Sequence, residues 1–119
     1  MSKSSKTMFY FGIYVVLAGL GFFLIPNTLL VLLGLQETTE PWIRILGFIA
    51  FILGYYYIRI SKLELTEFYA ITVPARSSVM LVFAGMVILK IAPPIILLFG
   101  FIDLLGAAWT WAALKEESA

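Results

Sequence analysis

Four apolar runs, each long enough to cross a bilayer and separated by short connecting segments, constrain this chain more than anything else in it. A helix rises about 1.5 Å per residue, so roughly 20 apolar residues match a hydrocarbon core of about 30 Å. In lipid the backbone has no water to bond to, and such runs fold as helices that pair their own N–H and C=O groups. Composition matters at this point: 62% of the 119 residues are hydrophobic and 13% charged. A soluble domain of this size is mostly surface and could not hide that much apolar material. The expected fold is all-α: a polytopic membrane protein, one transmembrane domain over 1–119, built as a four-transmembrane-helix bundle with short loops.

The first run, Met8 to Ile25, is uncharged and predicts a helix over about 8–25. Lys3 and Lys6 precede it as in a signal peptide, but no A-x-A-like cleavage site follows, so it reads as a retained span. Pro26-Asn27 breaks the run, and Thr28 to Leu35 is too short to cross, which predicts an interfacial helix over about 28–35. Pro41 suits the first position of a second helix over 41–60. Gly12, Gly19 and Gly21 in the first span, and Gly47 and Gly54 in the second, are small surfaces where another helix can come close. Tyr55-Tyr56-Tyr57 beside Arg59 and Lys62 has the composition of an interfacial anchor.

The third span has two readings. A long helix over 66–91, kinked at Pro74, puts Arg76 well inside the membrane; a helix starting at Pro74 leaves Arg76 at the headgroups. The long helix is favoured, because membrane helices tolerate proline. Pro93-Pro94 then turns the chain into a fourth helix over 94–114, with Trp109 and Trp111 at its far interface. An even number of spans puts both termini on one side. Lys3, Lys6, Arg59, Lys62 and Lys115 share that side, against Arg44 and Lys90, and the positive-inside rule makes it the cytoplasm.

Asp103 stands out inside the fourth run. Ile96, Gly100, Asp103, Gly106, Ala107 and Thr110 form one small or polar stripe on that helix. A carboxylate there costs roughly 2.5–3.5 kcal/mol on insertion scales, so a cationic partner is expected. Counted from the outer helix ends, Asp103 lies about 14 Å deep, Arg44 about 4 Å and Arg76 about 22 Å. Either arginine is in reach; Arg44 is slightly favoured, because helical side chains tilt toward their own N-terminus. Tyr55 and Thr110 are candidate lining residues of a pocket around these charges.

One acid with two arginines leaves spare positive charge, which suits a small anionic or amphiphilic ligand. The sequence therefore suggests a membrane protein that binds or transports such a ligand. The alternative is a structural or accessory subunit whose charges only fix helix packing. Net charge is +1 with no basic patch, which argues against a nucleic-acid partner. Without cysteine or histidine, no metal, haem or other cofactor is expected, and no acid–base constellation marks an enzyme. Four spans enclose little volume, so a homo-oligomer is an open way to build a pathway.

The phrase Trp42-Ile43-Arg44-Ile45-Leu46-Gly47 running on to Gly54, with charged positions in the later helices, resembles the DoxX-like group of small bacterial four-helix membrane proteins. The resemblance implies a multi-pass protein of the bacterial inner (cell) membrane and brings no catalytic signature with it. Small multidrug exporters share the size and the four spans, but they look to a glutamate in the first helix, and here that helix carries no acid.

Overall fold

The computed structural model describes residues 1–118, which are helical apart from short connections, with no strand among them. The elements are α1 (Lys3–Leu24), α2 (Pro26–Leu32), α3 (Trp42–Lys62), α4 (Thr66–Ile88) and α5 (Ile96–Ser118). All but α2 are long and apolar enough to cross a membrane. The chain forms two compact units, one of Met8–Leu63 and one of Met1–Thr7 with the chain from Glu64 onward. Helix α1 thus gives its first turn to one unit and the rest to the other.

In the unit of Met8–Leu63, α1 and α3 run antiparallel with their backbones in contact, and glycine makes that possible. A Cβ on Gly19 would lie 2.5 Å from Phe51 N and 2.6 Å from Gly47 O. One on Gly47 would lie 2.6 Å from Phe23 N, and one on Gly54 2.6 Å from Val16 N. No side chain fits at such distances, so the pairs Gly19/Gly47 and Gly12/Gly54 set the approach of the two helices. The Phe11 and Tyr57 rings pack beside this seam, 5.8 Å apart.

Helix α2 starts and stops earlier than the expected 28–35. Pro26 occupies its first turn, where a missing N–H costs nothing. Gly34, at φ +74°, ends it: Gly34 N–H donates to Val31 O and Leu35 N–H to Leu30 O, the double bond of a left-handed helix cap. Helix α3 matches the expected 41–60 closely, with Pro41 as its N-cap and two further residues at its end.

In the other unit, α4 and α5 are antiparallel, with Gly100 against Met80 and Phe83 at one end. Helix α4 runs unbroken through Pro74, the longer of the two readings. It stops at Ile88 rather than 91, because Lys90 turns left-handed at φ 62° and Ile91 N–H closes onto Met86 O. Helix α1 begins five residues before the expected Met8. Ser2 caps it, its carbonyl accepting Lys6 N–H and its hydroxyl accepting Ser5 N–H. Hydrophobicity marked where the apolar run starts, whereas the hydrogen-bonded helix starts at the cap. For a similar reason α5 runs on past 114 to Ser118, since the charged residues at its end bond to the first turn of α1.

Candidate functional site

The polar centre lies in the unit of α4, α5 and the first turn of α1. Ser4, Ser5, Thr7, Tyr69 and Thr110 are each 1% exposed or less, and Arg76 is 3% exposed. Arg76 is ten residues into α4, about 15 Å from that helix's start. Its Nη2 donates to Thr72 Oγ1 (3.1 Å) and to Thr110 Oγ1 (2.8 Å).

The hydroxyl hydrogens can be assigned by counting. Thr7 Oγ1 donates its one hydrogen to Ser4 O (2.6 Å), so in the Thr7–Thr110 contact (2.7 Å) Thr110 must be the donor. Thr72 likewise spends its hydrogen on Tyr69 O (2.7 Å) and accepts from Arg76. The bonds therefore run one way, from guanidinium to Thr110 to Thr7 to the Ser4 carbonyl. Each oxygen along this line faces the cation with a lone pair, which spreads the buried charge over α1, α4 and α5.

A second set of bonds closes the end of the unit. Ser4 N and Oγ both donate to Glu117, at 2.8 and 2.7 Å, so a carboxylate from α5 covers the N-terminal amides of α1. Ser5 Oγ donates to Glu64 Oε2 (2.6 Å), which makes Tyr69 the donor in the Ser5–Tyr69 contact (2.9 Å). Ser2 adds its N–H and its hydroxyl to the same carboxylate. The Ser5 hydroxyl, followed by Ser2, holds the Glu64 carboxyl below the usual range. Lys3 Nζ pairs with Glu116 Oε2 at 3.0 Å, with both side chains well exposed.

Of the residues expected at the site, Arg76, Thr110 and Asp103 fall in this unit. Asp103 is half-buried on α5, two turns from Thr110. Arg76 Nη2 bonds to the Thr72 and Thr110 hydroxyls. Arg44 and Tyr55 belong to the other unit. Arg44 is exposed on α3 and donates to Phe23 O, placing a cation at the C-terminal, negative end of α1. Tyr55 is exposed, its ring 6.1 Å from that of Tyr56.

Beside the polar centre, the first half of α4 and the last turns of α5 flank an open groove of about 830 Å³. Ala70, Val73, Pro74, Trp111 and Leu114 make its apolar walls, and Glu67, Lys115 and Glu117 stand among its polar lining residues. Lys115 Nζ sits 4.7 Å from the centre of the Trp111 ring.

Sequence reasoning missed Ser2, Ser4, Ser5, Thr7, Glu64 and Glu117. The available signal was the hydroxyl-rich Ser2-Lys3-Ser4-Ser5-Lys6-Thr7 directly before an apolar run, which is the composition of a helix start rather than of a tail. Compared with protein-family models, with curated proteins and with solved structures, the chain matches none.

Proposed function

We propose that this chain is a multi-pass protein of a bacterial inner membrane, with both termini in the cytoplasm, that binds a membrane amphiphile in the groove between α4 and α5. One observation carries the reading: a groove of about 830 Å³ has apolar walls and charged residues near the ends of both helices. Ligand pockets measure roughly 300–1,000 Å³ and combine apolar walls with a few placed polar groups. Charge near helix ends and hydrocarbon further in is also the pattern of a lipid, headgroup to chain. The hydroxyl network around Arg76 holds α4 and α5 at the separation the groove needs.

The test is lipid retention. Protein purified in mild detergent and passed through detergent exchange should keep one amphiphile per groove, seen by native mass spectrometry. Ala70→Trp, which places a large ring in the slot, should lose it while eluting as the wild type does in size-exclusion chromatography. Equal retention by both proteins would end the proposal.

A second reading has an observation in its favour. The hydrogen bonds of Arg76 described above all go to protein hydroxyls, as expected of an accessory subunit whose polar groups fix packing. Retention unaffected by Ala70→Trp would favour it.

A further inference from the structure

The charges at the groove differ in how far they are already engaged. Glu117 has both carboxylate oxygens accepting from Ser4, through its N–H and its hydroxyl. Glu67 on the α4 wall and Lys115 on the α5 wall are then the charged groups whose polar atoms face a ligand most directly, with the Glu117 carboxylate, already held by Ser4, adding negative charge beside them. Glu67 stands in the first turn of its helix and Lys115 in the last turn of its own, so each wall is locally compensated by the helix dipole. A ligand of one charge answers only one wall: an anion meets Lys115 and leaves Glu67 without a counter-charge, and a cation meets Glu67 and leaves Lys115 without one.

A zwitterion satisfies both. Its phosphate meets the Lys115 ammonium and its cationic end meets the Glu67 carboxylate. The form of that cationic end is also constrained. A quaternary ammonium is best held on an aromatic face, and Lys115 already covers a face of Trp111. A primary ammonium needs a carboxylate to accept its N–H groups, which Glu67 supplies.

We propose that the groove selects a zwitterionic phospholipid of the surrounding bilayer whose head carries a phosphate and a primary ammonium. This rests on the amphiphile-binding reading above and adds the choice of head.

The experiment offers the full-length protein in detergent an equimolar mixture of phosphatidylethanolamine, phosphatidylcholine and phosphatidylglycerol with identical acyl chains. Native mass spectrometry then reads what is retained. Wild-type protein should keep the ethanolamine lipid about fivefold over the glycerol lipid, the size expected of an exposed charge pair. Glu67→Gln should erase that preference, and Lys115→Gln should lower retention of all three lipids. Both positions are exposed, so neither change threatens folding. Equal retention of the three heads by wild-type protein, or a preference for the glycerol or choline head, overturns the selectivity and leaves the groove reading standing. Retention of no lipid by wild-type protein, matching Ala70→Trp, overturns the groove reading itself.

Discussion

Thr110 has one hydrogen to give and two lone pairs to offer, and its neighbours fix how they are used. It accepts from Arg76 Nη2 and donates to Thr7. Thr110→Val keeps the shape and removes both bonds, leaving a buried guanidinium nitrogen and a buried hydroxyl each short of a contact. The expected loss is about 1–3 kcal/mol of stability, as for other buried polar groups stripped of a partner. Thermal unfolding in detergent, followed by circular dichroism, measures it, and Thr110→Ser should recover most of the loss. An unchanged midpoint in Thr110→Val would mean the network contributes nothing. Glu64 gives a pH-dependent counterpart. Its carboxyl is held below the ordinary value, so its contribution is complete above that value and disappears as pH falls through the lowered one. Glu64→Gln should therefore flatten the acid side of a plot of unfolding temperature against pH. Asp103 was legible in the sequence because one charge in an apolar run is conspicuous. Of the two hydroxyls that bond Arg76, Thr110 was named from its place on the polar stripe of the fourth run, while Thr72 was not, since threonine barely perturbs hydropathy and occurs at many helix positions for local reasons.

Helices were legible wherever hydrophobicity or a backbone-limiting residue spoke. The glycines of the first two spans pointed to close packing, and in the unit of Met8–Leu63 Gly12, Gly19, Gly47 and Gly54 are where α1 and α3 touch, while Gly21 faces Leu29 of α2. Their spacing of seven brings Gly12 and Gly19 onto one face of α1, and Gly47 and Gly54 onto one face of α3. What was not legible is how much each glycine is needed, because that depends on the partner backbone. Gly19→Ala would put a methyl 2.5 Å from Phe51 N, with backbone on the other side that cannot rotate away. Overpacking of this kind costs about 1–3 kcal/mol. At Gly85 on α4 a methyl group would meet nothing within 4 Å, so Gly85→Ala should instead stabilise, by the roughly 0.5–1 kcal/mol that alanine gains over glycine within a helix. Folded yield and unfolding temperature of the two variants should move in opposite directions. Stabilisation of both would show that helix propensity, and not the seam, governs Gly19.

At the scale of the molecule, orientation in the bilayer is the property that most depends on charge alone. The pairs Lys3–Glu116 and Ser4–Glu117 bring the first turn of α1 and the last of α5 to one end of their unit. Lys3, Lys6 and Lys115 therefore share a side, while Lys90 lies past the other end of α4. Cations near span ends are enriched on the cytoplasmic side, and the three against one in this unit are what the proposed orientation rests on. Both ends are exposed, and the chain has no cysteine of its own, so single substitutions report directly. In cells with an intact inner membrane, Lys90→Cys should react with a membrane-impermeant maleimide, and Lys6→Cys should react only after the membrane is opened. The opposite pattern would invert the protein and place Glu67 and Lys115 at the outer leaflet. Labelling of both sites in intact cells would show that so small a charge difference does not fix a single orientation.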